Sequence, residues 1–376
     1  MKILFAGGGS GGHFYPIIAV AEAVNDIAAR EHLVGLDLVY MSDDPFDKEL
    51  LAQQKLAYLE VKTGKLRTYF SPKNITDPFK TFFGVLSAIH KLFVLYPDVV
   101  FGKGGYASFP AVAAARLLRI PVMIHESDIS PGRVNAWIAP YAKKIAICYP
   151  ETKNYFPKKD RLALTGLPIR KELRSTKPAP EATTSFSLEP NVPVIFVLGG
   201  SQGAENINEN LMDILPKLVE RYQVIHQTGK DNFEWMKKRA ATALVDIPVA
   251  ARYKPYPFLD AAHMVAAAHV CDLVIARGGS SLFEIALWGK PSILIPLAIA
   301  RGDHQRENAY SYARTGAATV IEEQNLKPTL FLSIIERLME DPEERARMHS
   351  ATAAFAHPDA AEKIAEALLA IGLEHV

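Results

Sequence analysis

Short apolar runs rich in β-branched residues alternate with longer stretches whose apolar positions recur every third or fourth residue, and this continues along most of the chain. The runs at 2–6, 36–41, 99–101, 122–125 and 144–147 are almost continuously apolar, as expected of strands covered on both faces. The 3.6-residue pattern predicts helices at 16–30, 46–55, 79–94, 110–118 and 132–141. Strand then helix, repeated, predicts an α/β fold built on parallel sheets.

After Gly166-Leu167-Pro168 the pattern loosens, and residues 175–193 are rich in Pro, Thr, Ser and Glu, as an exposed loop is. The opening arrangement then returns, with an apolar run at 194–198, a glycine loop at 199–204 and a helix to about 221. Further strands are expected at 223–227, 272–275, 292–295 and 318–321. A chain of 376 residues exceeds one ordinary core and suits two domains of ~100–200 residues each. The expected division is 1–168 and 169–356, with a last helix (359–371, within 357–376) crossing back onto the first domain.

Apolar residues make up 49% of the chain and the formal net charge is only +1, so nothing global points to nucleic acid. Cys148 and Cys271 stand beside apolar runs at no metal-ligand spacing. They read as small core residues in a reducing compartment. No uninterrupted stretch reaches the ~18 apolar residues of a membrane span, and no signal peptide precedes Met1. The expectation is a cytoplasmic protein, or one attached to a membrane surface.

The first chemical feature is Gly7-Gly8-Gly9-Ser10-Gly11-Gly12-His13, between the run ending at Ala6 and a helical pattern. A strand that leads through glycines into a helix start leaves backbone N–H groups converging on one point, where an anion meets no Cβ. The loop contains G-x-G-x-x-G at Gly7, Gly9 and Gly12, which also suits a dinucleotide, with Asp43 or Asp44 as its ribose acid. Two halves that both open with strand, glycine loop and helix favour two phosphate-bearing substrates over one dinucleotide, since open α/β sheets take ligands beyond their strands' carboxyl ends. An NAD-dependent oxidoreductase usually pairs one such half with a dissimilar domain.

Seven blocks in order resemble the MurG family of GT-B glycosyltransferases. They are Gly8 to His13, Gly104-Gly105-Tyr106, His125-Glu126, Gly166-x-Pro168-x-Arg170, Gly199 to Ala204, Arg277 to Glu284, and Asp303-His304-Gln305 with Asn308-Ala309. The resemblance covers nearly the whole chain. It implies a GT-B architecture, two doubly wound Rossmann-like domains facing across a cleft. It also implies an inverting transfer of N-acetylglucosamine from UDP-GlcNAc to undecaprenyl-pyrophosphoryl-MurNAc-pentapeptide (lipid I), yielding lipid II, with neither a metal nor a redox cofactor. A glycolipid glycosyltransferase or a UDP-sugar epimerase would share the fold and the glycine loops.

By the same resemblance, Arg170 and Ser201 contact the donor, and Gly279, Ser280, Ser281 and Leu282 lie along its nucleotide. Glu284 would accept both ribose hydroxyls. It is followed by Ile285-Ala286-Leu287-Trp288, and a carboxylate on so apolar a helix is costly to bury without a partner, although an acid at a helix start also gains from the dipole. The family spaces this Arg and Glu eight apart; here Arg277 and Glu284 are seven apart. Gln305 would read sugar hydroxyls, which an amide can both donate to and accept from, and Leu259 would offer a backbone contact to uracil.

On the acceptor side the resemblance assigns Ser10, Gly11 and Gly12 to the pyrophosphate and Tyr106 and Asn135 to the pocket. Imidazole titrates near neutral pH, so His13 suits the base that deprotonates the attacking 4-hydroxyl; a histidine hydrogen-bonded at a helix start is the plainer alternative. Glu126 is an alternative base, or a group orienting His13. The family's His-Glu-Gln-Asn becomes His125-Glu126-Ser127-Asp128 here, so Asp128 replaces an amide with a charge.

Residues 61–91 hold Lys62, Lys65, Arg67, Lys73, Lys80 and Lys91 against Asp77 alone, six less one or +5, interleaved with Tyr69, Phe70, Phe79, Phe82, Phe83 and Leu86. Some of these aromatics are expected to pack inward. Near an anionic leaflet each basic residue contributes ~1 kcal/mol, so the expected partner is an anionic membrane surface, at the cytoplasmic face of the plasma membrane, alongside UDP-GlcNAc and lipid I; no RNA motif accompanies the charge.

Overall fold

The computed structural model describes residues 1–65, 73–175, 180–200, 203–298 and 303–374, with backbone only at 73 and 74. Ser201, Arg67, Tyr69 and Phe70 therefore lie outside the described residues. The chain divides into two compact units, 1–170 with 357–376, and 171–356. The division falls two residues beyond the one read from the sequence, so Ile169 and Arg170 go with the first unit.

The first unit holds a seven-stranded sheet of β1 (Lys2–Ala6), β2 (Asp37–Ser42), β3 (Leu56–Glu60), β4 (Val99–Gly102), β5 (Val122–Glu126), β6 (Lys144–Ile147) and β7 (Leu162–Leu164), all pairs parallel, in the order 3-2-1-4-5-6-7. The second holds β8 (Val194–Leu198), β9 (Gln223–Gln227), β10 (Tyr253–Tyr256), β11 (Leu273–Ala276), β12 (Ser292–Leu294) and β13 (Ala318–Val320), again parallel, in the order 10-9-8-11-12-13. Strands β3, β7 and β10 are absent from the sequence reading. All three are sheet edges, only partly covered, so they lack the continuous apolar run that marks an inner strand.

Alternation across the inner strands builds two layers. Ile3 and Phe5 join the core beneath the helix Gly11–Arg30, while Leu4 and Ala6 join the opposite one. The C-terminal helix Ala360–Leu373 packs on the helix Gly11–Arg30, its Ile364, Ala365 and Leu368 sharing a cluster with Ile17, Val20 and Val24. The latter helix begins at Gly11, five residues before the pattern predicts. Pro16 lies inside it, where the N–H that would donate to the Gly12 carbonyl is missing.

The helix Lys73–Leu95 differs most from expectation. It starts six residues earlier, and Phe79, Phe82 and Phe83, expected in part to face inward, are all exposed, Phe79 and Phe83 each by 64%. Only a narrow seam that includes Ala88 and Leu92 is buried, and it packs on the helix Phe109–Leu117. By length and composition alone, Ile75–Leu95 is apolar enough to cross a membrane; Asp77, Lys80, His90 and Lys91 interrupt what would otherwise be the uninterrupted run sought in the sequence.

In each sheet the strand order reverses beside the first strand, between β1 and β4 and again between β8 and β11. Loops leaving the carboxyl ends of such a pair diverge and open a crevice where ligands bind in open α/β sheets. The two expected glycine loops follow β1 and β8.

Candidate active site

At the first crevice the sequence after β1 meets the sequence after β4. Ser10 caps the helix with extended backbone, and its carbonyl accepts the N–H groups of His13 and Phe14 at 3.1 Å. Helix geometry leaves the N–H groups of Gly11 and Gly12 at the open tip. Gly105 has φ +75°, and a Cβ there would stand 3.0 Å from the His13 ring, so only glycine lets the two loops close on each other. Tyr106 lies over Gly9, with the Lys65 ammonium 5.0 Å from its ring centroid. The His13 Nδ1 is enclosed and has no protein partner. Burial, and then the nearby Lys103 charge, push this imidazole down to about 4 against the opposing effects of Asp128 and of a hydrogen bond to the Lys103 backbone, so at neutral pH it is a neutral proton acceptor.

Glu126, at the end of β5, is buried. Its Oε1 accepts the N–H groups of Ser127 (2.9 Å) and Asp128 (3.1 Å), and its Oε2 accepts those of Gly132 (2.9 Å) and the Asn135 amide (2.9 Å). Four donors, all from the 127–135 turn, occupy its lone pairs, so this carboxylate holds the turn in place. Burial and the Asp128 charge raise its pKa, opposed by Lys103 and these hydrogen bonds. Of the two roles open to it in the sequence, orienting its neighbours fits this geometry and proton abstraction does not. Asn135 also donates to the His125 carbonyl at 3.0 Å, while its buried Oδ1 has no protein donor. Asp128 is partly exposed.

Arg170, expected on the donor side, belongs to the first unit, where its guanidinium lies 4.4 Å from the Tyr15 ring centroid. Arginine stacks well on an aromatic face, and that fixes this one on the helix Gly11–Arg30.

At the second crevice, the loop after β8 leads into the helix Glu205–Arg221, and the loop after β11 leads into the helix Ser281–Leu287. Gly278 lies so close to the Gln305 carbonyl that a Cβ would come within 2.2 Å of it. This contact joins the 277–284 turn to the start of the helix His304–Ala313. Gly279 borders open space, Ser280 and Ser281 are partly exposed and Glu284 is half-buried. Leu282, by contrast, is fully buried and its N–H donates to the Gly279 carbonyl, so neither its side chain nor its N–H lines the crevice. Gln305 Oε1 accepts the Leu297 N–H at 3.1 Å, which turns the amide's donor end the other way. The Leu259 N–H donates to Gln227 Oε1 at 3.1 Å, so a base could be read there only through the carbonyl.

Three supporting residues escaped the sequence reading. Gln227 holds Leu259, Glu323 pairs with Arg277 at 2.6 Å, and Lys103 lies under the first crevice. Glu323 and Gln227 carry no local signal, since their partners are distant in sequence. Lys103 does: it is a charge set between the apolar β4 and a Gly-Gly pair.

Models of glycosyltransferase family 28 match the chain in two parts, the N-terminal domain over residues 3–147 and the C-terminal domain over 194–364. The chain is 34% identical to the UDP-N-acetylglucosamine–N-acetylmuramyl-(pentapeptide) pyrophosphoryl-undecaprenol N-acetylglucosamine transferase of Treponema denticola, over 97% of the chain and 96% of the relative. It shares its fold with the crystal structure of Acinetobacter baumannii MurG at a TM-score of 0.73 and 27% identity, covering 98% and 99% of the two chains. The chain belongs to the MurG family of glycosyltransferases. A relative of the same description from Lachnoclostridium phytofermentans is 36% identical over 90% of the chain and 91% of its own length. This MurG-family chain is therefore an enzyme, an N-acetylglucosaminyltransferase with the two parallel-sheet α/β domains of the GT-B architecture.

Proposed function

We propose that the enzyme transfers N-acetylglucosamine from UDP-GlcNAc to the 4-hydroxyl of MurNAc in undecaprenyl-pyrophosphoryl-MurNAc-pentapeptide, converting lipid I to lipid II with inversion at the anomeric carbon. The observation that carries this reading is the coincidence, in both units, of a glycine loop, a helix start and the point of strand reversal. One such crevice suffices for a dinucleotide; two suit a pair of diphosphates.

The acceptor pyrophosphate lies on Ser10, Gly11 and Gly12, with Tyr106, Asp128 and Asn135 lining the pocket. His13 removes the proton of the attacking hydroxyl. UDP lies on the second unit, its pyrophosphate toward the loop that includes Ser201, its ribose hydroxyls on Glu284 and its uracil at the Leu259 carbonyl. Gly279, Ser280 and Ser281 border the nucleotide and Gln305 reads the sugar. Arg170 also contacts the donor. Charge growing on the departing UDP is met by preorganised N–H donors, and the reaction uses neither metal nor redox cofactor, so a chelator leaves the rate unchanged.

The enzyme works attached to the cytoplasmic face of the plasma membrane. The exposed phenylalanines of the helix Lys73–Leu95, with Lys62, Lys80 and Lys91 near them, support this reading, since apolar insertion and basic charge act together at an anionic surface.

Incubation with UDP-GlcNAc and a short-chain lipid I analogue tests the assignment by product. Formation of the β-linked disaccharide is expected. Free UDP with an epimerised sugar, or glucose transfer from UDP-glucose to diacylglycerol, would point instead to the other GT-B chemistries.

A further inference from the structure

Lys103 directly follows β4 and is only 1% exposed. Its backbone N–H donates to the Ala6 carbonyl at 2.9 Å, and its Cβ sits against Gly7, so the side chain runs beneath the glycine loop of the first crevice. The ammonium donates to Ser127 Oγ at 3.0 Å. That partner is neutral, and a buried ammonium costs several kcal/mol unless charge of opposite sign lies close. Two carboxylates act on it, Glu126 and Asp128. The Glu126 carboxylate has the larger effect of the two on the ammonium and is fixed by four local donors. Asp128 is the charge that stands where the MurG resemblance expects an amide, one residue beyond Lys103's own partner.

We propose that Lys103 and Asp128 form a compensating charge pair beneath the acceptor crevice, and that Lys103 is a positioning residue for the transfer, anchoring Ser127 and offsetting the Asp128 carboxylate beside His13. Among the described residues, the charged and titratable groups that act on His13 are Lys103 after β4, His125 in β5 and Asp128 two residues beyond that strand. His125 is itself kept neutral by burial and by Lys103. Lysine disfavours and Asp128 favours the protonated His13 ring. With both present the Asp128 charge is offset, and an incoming pyrophosphate is repelled less. With Asp128 alone, the floor would repel that anion and draw a proton onto the base. This inference rests on His13 as the base, so its test reads His13 directly as well as through turnover.

The experiment uses the full chain with Lys103→Met, Asp128→Asn and the double variant, following the His13 imidazole by NMR titration and the pH dependence of kcat/KM for a short-chain lipid I analogue. Lys103→Met is expected to raise the proton affinity of His13 about tenfold, one pKa unit, to move the acid limb of the profile by the same amount, and to raise the acceptor KM. The double variant, neutral at both positions, is expected to return the His13 midpoint. A His13 midpoint that stays put in Lys103→Met, or that the double variant fails to restore, overturns the pair. A midpoint that moves while the acid limb does not supports the pair and removes His13 as the base. Should Lys103→Met fail to fold, a native melting transition recovered in the double variant supports the pair, and a double variant that also fails to fold overturns it.

Discussion

Asn135 donates to the Glu126 carboxylate at 2.9 Å, joining the helix Arg133–Ile138 to the end of β5. The contact makes Glu126 part of the frame around the acceptor crevice. Glu126→Gln replaces an acceptor-only group with one that presents two donors to four existing donors. It is expected to cost about 1–3 kcal/mol of stability, the penalty of unmade buried hydrogen bonds, and to leave the acid limb of the pH profile where it was. Chemical denaturation and a pH–rate profile check both, and loss of the limb would mark Glu126 as the base after all.

For His13 the expected cost falls on the chemical step. His13→Ala should lower kcat by about 10²–10⁴-fold, the usual contribution of a general base, with the KM for UDP-GlcNAc unchanged. In the native enzyme the imidazole, held down to about 4 chiefly by burial, is deprotonated in the free enzyme throughout the neutral range. The acid limb of kcat/KM therefore lies well below pH 6, and a bound diphosphate, being an anion, should place the limb of kcat at higher pH. Steady-state kinetics between pH 4.5 and 8 separate the two.

Gly105 offers a test that leaves every polar group in place. Gly105→Ala puts a methyl 3.0 Å from the His13 ring at φ +75°, where strain costs of order 1–3 kcal/mol. The acceptor KM should rise and kcat should fall, while calorimetric binding of UDP, assigned to the other unit, stays native. An equal loss of UDP binding would show that the substitution acts on the whole chain.

The exposed face of the helix Lys73–Leu95 separates membrane attachment from chemistry. Phe79→Asp with Phe83→Asp removes apolar surface that nothing in the described structure covers. Sedimentation with vesicles of anionic phospholipid should be abolished, and turnover of a water-soluble acceptor analogue should be kept. Native binding should also weaken as salt rises, because the basic contribution is screened.

His226 lies wholly buried between Asn208 Oδ1 and the Tyr253 hydroxyl, each 2.9 Å from a ring nitrogen, and burial holds it down to about 3. Its unfolded value is 6.5, so the unfolded chain binds the extra proton, and stability from this group is full above pH 6.5 and lost as pH falls toward 3. Between pH 7 and 5 the loss is about 2 kcal/mol. Melting of the native protein should show this decline. A variant in which glutamine replaces His226 should be less stable at pH 7 and flatter with pH.

The alternation of buried strands and amphipathic helices was legible because inner parallel strands must be apolar on both faces, so β1, β4, β5, β8 and β11 announce themselves by composition. The same physics concealed β3, β7 and β10, which lie at sheet edges with partial cover. The glycine loops were legible too, since close backbone approach at a helix start leaves few alternatives to glycine. Whether a residue beside them serves the chemistry or the frame was not. Glu126 and His13 both read as bases from sequence, and four hydrogen bonds spent on Glu126 against an unpartnered Nδ1 on His13 separate them. The burial of the Leu282 side chain beside the partly exposed Ser280 and Ser281 was not legible either.

Sequence by itself determined the class of fold, the two glycine loops and the family, because these depend on local pattern and on short blocks in order. Tertiary structure alone decided the strand order that sets those loops at points of reversal, the exposure of Phe79 and Phe83, and the burial of Lys103 beside Ser127. Those are pairings between residues distant in the chain, and desolvation, which governs whether a charge is a frame, a base or a counter-ion, exists only once the chain has closed around it.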